Sequence, residues 1–331
     1  MNYEDFKQKR KEILEKNTSI IDLSENNLYQ FMKNKLNLDD IKGENINGHV
    51  NGNVHRCHLV EDWLNHFSLS ESYKNFIGVS DGVRHSLELL MTELKDKKWY
   101  IPRDVYPVYQ EKADKNLIKD YKDYSTLYYD NVFKVNGIPE DVEVILTINP
   151  FKPYGRKMLG SELENLRHWL SGNQERRLIV DCVYMTDIED NTSLLNLYNE
   201  TGQVYLLFSL SKTWLLPKIF GLTFIAQKDN LHVKNIFKSL KANTTNLKIA
   251  YDALNNYISR PAIIKEALKT QIEVTSKKGL EFGLIYNEDN PSYLFCSNKD
   301  FDYWLNKGFL TIPASVFGAE KGVVISTLTN N

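Results

Sequence analysis

The chain has 331 residues, of which 42% are hydrophobic and 25% charged, and its formal net charge is −2. A near-neutral balance with scattered Lys and Arg argues against a nucleic-acid partner, and no apolar run approaches the ~20 residues that span a bilayer. The charged N-terminal residues and three widely spaced cysteines indicate neither a secretory signal nor a disulfide framework, so we expect a cytoplasmic protein without membrane contact.

A loop is the first predicted feature along the chain. Residues 42–55 are rich in Gly and Asn and separate an N-terminal segment from the main body. The loop ends in the run His55-Arg56-Cys57-His58. Two histidines and a cysteine are metal ligands, but no second ligand pair follows at a suitable spacing. We therefore predict no metal site.

Strands and helices alternate after this loop. Residues 82–95 carry an apolar stripe at helical spacing. The residues of this stripe are Val83, Leu87, Leu90, Met91 and Leu94. A capping box of Ser161 and Glu164 predicts the start of a second helix. The predicted strands are 99–101, 143–149, 177–181, 204–209 and 221–226.

The alternation predicts the fold class. Apolar strands interleaved with helices indicate an α/β protein with a mostly parallel sheet sandwiched by helices. Such sheets bind ligands at the carboxyl ends of their strands. From about residue 231 the pattern is helical, then mixed, and it ends in the strand-like run GVVISTLT. This tail indicates a second, smaller α+β domain.

The strongest chemical signal is a lysine directly after a buried strand, in the run Ser209-Leu210-Ser211-Lys212. An amine desolvated at the ligand edge of a sheet has a lowered pKa and forms a Schiff base with an aldehyde. The two serines are short hydroxyl donors suited to a phosphate. Taken alone, Lys212 would be interpreted as a surface lysine that ends a strand.

Asp181 ends the strand 177–181, and Tyr184 follows three residues later. An aspartate at a strand end can face a pyridinium nitrogen and keep it protonated. Tyr184 is placed to donate to a phenolic oxygen of the same ring. The alternative for Asp181 is a helix N-cap or an ordinary loop residue.

Three more segments follow strands or open helices. Asn149 to Gly155 contains two prolines and a glycine, which force a turn. Tyr106, after the strand 99–101, is suited to stack on a pyridine ring. Gly82-Val83-Arg84 opens the amphipathic helix, and the unpaired first amides of a helix favour phosphate.

The order and spacing of these segments resemble fold-type I enzymes that use pyridoxal 5'-phosphate (PLP), specifically the class I/II aminotransferase family. The resemblance covers most of the chain. Asp22 to Asn27 is similar to the family's N-terminal entry segment, and Pro313 to Gly318 is similar to its small-domain turn. The resemblance implies a Schiff base between PLP and Lys212, with Asp181 and Tyr184 as the other catalytic residues.

The resemblance also implies the cofactor site, the domains and the assembly. The implied cofactor-binding residues are Gly82, Val83, Arg84, Tyr106, Asn149, Asp181, Tyr184, Ser209, Ser211 and Lys212. A large PLP-binding domain is expected over 46–235, and a small domain is expected from 1–45 and 236–331. A homodimer is expected because family members build the site at a subunit interface.

Two departures from the family pattern concern the cofactor. Lys152 stands where the family has an asparagine, so it either brings a positive charge near the substrate and the Schiff base or points to solvent. The segment 217–221 lacks the family's phosphate-binding arginine. Our hypothesis is that Arg84, with Ser209 and Ser211, replaces that charge; the alternative is an exposed first-turn arginine.

Two further departures concern the substrate and the partner subunit. The family's carboxylate-binding arginine near the C-terminus is replaced, most simply by Val324. An aliphatic side chain cannot pair with a carboxylate, so another cation substitutes or the substrate lacks a carboxylate in that place. Candidate substitutes are Lys152, Arg156 and Arg260. The family's partner-subunit tyrosine falls near His55 by spacing, but His55 is better interpreted as an ordinary loop histidine.

Three functions remain open from the sequence. The first is an aminotransferase that acts on a specialised small-molecule amine or amino acid, with Lys212 as general base. The second is another PLP reaction on the same scaffold, namely a lyase, decarboxylase, cyclase or oxidase. The third is a non-catalytic relative.

Overall fold

The structure is a computed structural model of the single chain. It describes residues 2–33, 35–36, 52–126, 132–134, 136–153, 157–185, 192–241, 243–276 and 293–328.

The α-helices of this part of the chain are α1 Tyr3–Lys16, α2 Leu28–Lys33, α3 Gly52–His66, α4 Val83–Glu93, α5 Val108–Lys112, α6 Gly160–Ser171, α7 Thr192–Thr201, α8 Leu210–Thr213, α9 Asn230–Ser239, α10 Thr244–Asn256, α11 Arg260–Ser276 and α12 Phe301–Asn306. Its strands are β1 Ile21–Asp22, β2 Ile77–Ser80, β3 Lys98–Pro102, β4 Asp120–Tyr124, β5 Val144–Ile148, β6 Arg177–Asp181, β7 Val204–Ser209, β8 Gly221–Phe224, β9 Leu294–Ser297, β10 Phe309–Leu310, β11 Ile312–Pro313 and β12 Val323–Ser326.

A seven-stranded sheet forms the centre of the molecule, in the order β2-β8-β7-β6-β5-β3-β4. Its strands from β7 to β4 are parallel, and β8 lies antiparallel between β7 and β2. Every residue of β5, β6 and β7 is buried. Such apolar strands need cover on both faces, and helices flank the sheet, with α4 packed on β7 and β8.

The strand register brings the start of α4 next to the end of β7. Ser80, the last residue of β2, pairs with Gly221, and Gly221 also pairs with Ser209. A Cβ atom on Gly221 would lie 2.6 Å from the Cα of Gly82, so only a glycine allows this approach. The end of β7 and the residues that open α4 therefore lie side by side at one edge of the sheet.

The remaining strands form two smaller sheets. One is antiparallel, in the order β11-β12-β9, and the other is the parallel pair β1 and β10. A small apolar cluster joins N-terminal and C-terminal residues, namely Leu23, Trp304, Val323 and Ile325. The N-terminal strand thus packs with C-terminal elements, while the division into domains at 46 and 235 stays a prediction.

Most predicted elements agree with the structure, and two details are wrong. The strands 177–181 and 204–209 match β6 and β7 residue by residue, and the predicted helix 82–95 is α4. The predicted loop 42–55 is corrected at its end, because 52–55 already belong to α3. Residues 42–51 lie outside the described residues.

The predicted capping box is the second error. Helix α6 begins at Gly160, so Ser161 lies inside it. The buried carboxylate of Glu162, rather than that of Glu164, accepts from the backbone N–H of Leu159 at 2.7 Å. Glu164 instead pairs with Arg167 on the helix surface. The structure therefore has the start of this helix two residues earlier in the chain than the predicted capping box.

Candidate active site

Lys212 lies at the carboxyl edge of the central sheet, on the short helix α8 that directly follows β7. The hydroxyl of Ser209 accepts from the backbone N–H of Ser211 at 3.0 Å and so caps this helix. The hydroxyls of Ser209 and Ser211 are also hydrogen-bonded to each other. These bonds fix the turn that brings the Lys212 side chain to the sheet edge.

Tyr184 and Lys212 are brought together. The Lys212 Nζ lies 5.2 Å from the centroid of the Tyr184 ring. The hydroxyl of Tyr184 is 3.3 Å from that of Tyr293, a buried residue just before β9. One predicted site residue therefore contacts another, and Tyr293 joins them from the C-terminal part of the chain.

Asp181 is the last residue of β6 and is buried. Its carboxylate accepts from the Tyr109 hydroxyl at 2.6 Å and from the backbone N–H of Val183 at 3.0 Å. Burial raises the pKa of Asp181 to about 6, although both hydrogen bonds act to lower it. Residues 182–185 form no helix, so the alternative of a helix N-cap is wrong.

Tyr106, Tyr109 and Arg84 connect Asp181 to the start of α4. The ring of Tyr109 packs edge-on against that of Tyr106, with centroids 5.6 Å apart. Tyr106 is 43% exposed, and its hydroxyl accepts from the exposed Arg84 guanidinium at 2.5 Å. Tyr106 thus presents an accessible ring at the same edge as Asp181.

The residues that open α4 have the geometry of an anion site. Gly82 has a φ of +112°, and the helix begins at Val83. The hydroxyl of Ser80 donates to the Gly82 carbonyl at 3.0 Å and holds the turn. The first amides of a helix have no partner within the helix and carry its positive dipole end, so this end suits a phosphate.

The turn that contains Asn149 follows β5. The side-chain oxygen of the buried Asn149 accepts from the Met158 backbone N–H at 2.8 Å, and its backbone N–H donates to the Asp181 carbonyl at 3.0 Å. Asn149 therefore braces the loop beside Asp181. The peptide bonds before Pro150 and Pro153 are cis. Residues 154–156 of the predicted turn, including the candidate Arg156, lie outside the described residues.

Lys152 is buried on this turn, with 7% of its surface exposed, so the alternative of a solvent-facing side chain is wrong. Its Nζ lies 5.0 Å from the centroid of the Tyr184 ring and 5.1 Å from that of Tyr293. Burial, together with the smaller effect of the nearby Lys212 charge, lowers the pKa of Lys152 to about 7. We name Lys152, Tyr184, Lys212 and Tyr293 the lysine–tyrosine cluster.

The structure also locates the residues named for the other departures from the family pattern. Val324 is fully buried in β12, where it pairs with Cys296 and Ile312. Arg260 is buried at the start of α11, a helix that contacts α8, with its guanidinium 5.0 Å from the Tyr257 ring. The backbone of His55 belongs to α3, and its side chain lies outside the described residues.

Tyr109 and Tyr293 are site residues that sequence reasoning missed. Tyr109 lies three residues after Tyr106, which is one helical turn, and this spacing could have suggested that the two rings meet. Tyr293 is 109 residues from its partner Tyr184, and no local pattern connects them.

Within the described ranges, no group of three or more His, Cys, Asp or Glu side chains could hold a metal ion. In the same ranges, no helix combines the length and the apolar character that a membrane span requires.

Comparison with solved structures shows the fold. The chain is similar to substrate-bound BacF from Bacillus subtilis, with a TM-score of 0.70 at 15% identity, over 100% of this chain and 92% of that one. An aspartate aminotransferase from Thermotoga maritima gives a TM-score of 0.70 at 15% identity, over 98% and 92%. A PLP-bound C-S lyase from Staphylococcus hominis gives 0.66 at 17% identity, over 91% and 85%.

No protein-family model matches the chain, and no curated protein sequence matches it. The structural likeness over nearly the whole chain nevertheless shows that it has the aminotransferase fold. The predicted α/β fold class is therefore confirmed.

Proposed function

We propose that this chain is a PLP-dependent aminotransferase that acts on a small-molecule amine or amino acid. The main support for the proposal is that the Lys212 Nζ lies against the Tyr184 ring, at the same sheet edge as the buried Asp181. The fold that holds these residues is one that PLP-bound enzymes share. A buried carboxylate with a raised pKa at the ligand edge of a sheet is typical of a functional site.

The residues at this edge suit PLP. Tyr109 and Val183 are neutral donors to Asp181, and a protonated ring nitrogen opposite the carboxylate would favour its ionised form. The first amides of α4 and the hydroxyls of Ser209 and Ser211 suit the phosphate. Tyr106 offers its exposed ring for stacking.

Lys212, Asp181 and Tyr184 would each have a separate role in the reaction. PLP, when bound, supplies an electron sink for the carbon that loses a proton. The Lys212 amine would hold the cofactor and later take or return the proton at the substrate carbon next to the amino group. Asp181 would keep the proton on the ring nitrogen, and Tyr184 would donate to the phenolic oxygen.

A lyase reaction on the same scaffold is the second candidate. The C-S lyase that shares the fold supports it, and so does the altered substrate side at Val324. A decarboxylase, a cyclase and an oxidase belong to the same alternative, because the motifs identify the cofactor and not the bond that breaks. Turnover that needs a keto-acid acceptor supports the aminotransferase, whereas release of ammonia or carbon dioxide without an acceptor supports the alternative.

The homodimer, the cytoplasmic location and the two-domain division remain predictions. They rest on the family resemblance and on composition. Size-exclusion chromatography with light scattering would measure the oligomeric state directly.

The deciding experiment is reductive trapping. The purified chain is incubated with PLP, reduced with borohydride and mapped by peptide mass spectrometry. We expect one PLP adduct at Lys212 and a visible absorption band before reduction. Lys212→Ala should remove both, whereas Lys238→Ala, on the exposed surface of α9, should keep both. An unmodified Lys212 in the wild-type chain would overturn the proposal, and the absence of any band would favour a non-catalytic relative.

A further inference from the structure

We propose that the buried hydroxyl groups of Thr223, Ser86 and Ser80 form a one-way series of hydrogen bonds that prepares the first amides of α4 for a phosphate. We name these three residues the hydroxyl chain. They are positioning residues, because they act through the carbonyl of Gly82 and need not touch the phosphate. The inference rests on the proposed function and adds three residues to its cofactor site.

The hydroxyl chain joins three neighbouring elements of the large sheet and its cover. The Thr223 hydroxyl in β8 donates to the Ser86 hydroxyl in α4 at 2.8 Å. The Ser86 hydroxyl lies 2.7 Å from that of Ser80, the last residue of β2, and the Ser80 hydroxyl donates to the Gly82 carbonyl at 3.0 Å. All three side chains are buried, so these bonds are shielded from competition by water.

The direction of the hydroxyl chain follows from the number of hydrogens. Each hydroxyl has one hydrogen to donate. Ser80 uses its hydrogen on the Gly82 carbonyl, so the hydrogen between the two serines comes from Ser86. Ser86 in turn accepts the hydrogen of Thr223. All three donors therefore point from β8 toward Gly82, and buried hydrogen bonds aligned in this way polarise one another.

The hydroxyl chain ends on the peptide group that opens α4. The Gly82 carbonyl and the Val83 N–H belong to the same peptide group, and the carbonyl also accepts from the backbone N–H groups of His85 and Ser86, each at 3.1 Å. Donors at a carbonyl oxygen draw electron density from the amide nitrogen, so they make the N–H a stronger donor. Because Val83 is the first residue of α4, its N–H has no acceptor within the helix and suits an anion.

The residue that caps α4 is consistent with this role. A typical N-cap residue has a side-chain oxygen that occupies one of the first amides of its helix. The N-cap of α4 is Gly82, with a φ of +112°, so no side chain of the cap competes with a ligand for these amides. Ser80 holds the turn from its carbonyl side instead, and β8 packs directly against it, since a Cβ atom on Gly221 would lie 2.8 Å from the Ser80 Oγ.

The experiment compares PLP with pyridoxal, which has the same ring and aldehyde but no phosphate. Each is titrated into the cofactor-free chain, and the ratio of the two dissociation constants isolates the contribution of the phosphate. Ser80→Ala should weaken PLP binding by about tenfold and leave pyridoxal binding within about twofold of wild type. Thr223→Val, which acts through two further hydroxyls, should weaken PLP binding by about threefold. Thr223→Ser keeps the donor and should restore the wild-type ratio.

Thr275→Val in α11 is the matched control. It removes another buried threonine hydroxyl, which donates to the Gln271 carbonyl at 2.7 Å and lies outside the hydroxyl chain. The ratio for this variant should equal that of wild type. Thermal unfolding of each ligand-free variant, followed by circular dichroism, reports whether it is folded. Valine has nearly the shape of threonine, so Thr223→Val tests the proposal even if Ser80→Ala does not fold.

The outcomes separate this inference from the proposed function. If the folded variants lose PLP and pyridoxal affinity equally, or lose only stability while the ratio stays unchanged, the hydroxyl chain supports the fold alone and the inference is overturned. Borohydride trapping of PLP at Lys212 in the wild-type chain tests the proposed function independently. Trapping there with an unchanged ratio in the variants defeats only the inference, whereas a failure to trap at Lys212 defeats the proposed function.

Discussion

The two ends of strand β6 carry charged residues in opposite environments. At the amino end, the Arg177 guanidinium donates to Asp229 at 2.5 and 2.6 Å, and the Tyr205 hydroxyl donates to the same carboxylate. At the carboxyl end, Asp181 accepts from the neutral Tyr109 hydroxyl and a backbone N–H. One aspartate faces a cation, and the other has only neutral donors in its hydrogen bonds.

The difference appears in the pKa values. Burial acts to raise the pKa of both carboxyls, but at Asp229 the hydrogen bonds from Arg177 and Tyr205 outweigh it, so that pKa is lowered. At Asp181 burial dominates, and the pKa is raised to about 6. Removing one partner of a buried ion pair destabilises a fold, whereas a buried carboxyl that has only neutral donors suits a cationic ligand. We therefore propose that the amino end of β6 has a structural role and its carboxyl end a functional one.

The largest expected effect comes from exchanging each aspartate for asparagine. Asp181→Asn should lower the amino-transfer rate by about a thousandfold, because a neutral amide cannot keep the ring nitrogen protonated. Its free energy of unfolding should change by less than about 1 kcal/mol, because an amide oxygen still accepts from Tyr109. Rates come from a coupled assay and stabilities from urea denaturation.

Asp229→Asn is the matched variant at the other end. It leaves the Arg177 charge without its carboxylate and should lower the free energy of unfolding by about 2–3 kcal/mol. PLP trapping at Lys212 should be retained under native conditions. If Asp181→Asn destabilised the fold as much as Asp229→Asn, the proposed separation of roles would be wrong.

Two arginines are expected to show opposite effects when each is replaced by alanine. Arg84 is exposed beside Tyr106, and its replacement by alanine should weaken PLP binding by about tenfold through loss of a charge-assisted bond to the phosphate. Stability should be unaffected. Arg177→Ala should do the reverse, with a lower free energy of unfolding and normal PLP affinity in the folded protein. Fluorescence titration with PLP measures the affinity; an unchanged Kd in Arg84→Ala would defeat the phosphate hypothesis.

The smallest effect concerns the two tyrosine donors. The hydrogen bond from Tyr109 lowers the pKa of Asp181, so Tyr109→Phe should raise that pKa by about one unit above its value near 6. The acidic limb of the pH–rate profile should shift to higher pH, and the rate at high pH should stay unchanged. Carboxyl carbon shifts in labelled, cofactor-free protein report this pKa directly.

Tyr205→Phe is the control for this pH effect. It should cost about 1 kcal/mol of stability and leave the acidic limb in place. A shift of the limb in Tyr205→Phe, or none in Tyr109→Phe, would show that Tyr109 does not act through Asp181.

The strands that carry the site could be predicted because each has a local signature. β6 and β7 are short apolar runs, and Asp181 and Lys212 stand at or directly after their ends. Two strands of the central sheet escaped prediction for physical reasons. β2 is a four-residue edge strand containing a glycine, and β4 is an edge strand whose sequence DYKDY is mostly polar and exposed.

The long-range contacts of the site could not be predicted. Tyr109 meets Asp181 across 72 residues, and Tyr293 meets Tyr184 across 109. Lys152 lies near the rings of Tyr184 and Tyr293, both distant from it along the chain, so a local pattern could not predict the direction of its side chain. A motif locates a side chain along the chain, but only the packing of distant elements sets its environment.

The pairing of β8 between β2 and β7 has a consequence for protein synthesis. Translation delivers Ser80 and Gly82 early, but among the described strands β2 pairs only with β8, which leaves the ribosome about 140 residues later. Lys212 also emerges before β8. A nascent chain that stops short of Gly221 thus has Lys212 without the strand that holds Ser80 and Gly82 beside it. If the proposed function is correct, cofactor binding would therefore require the later part of translation.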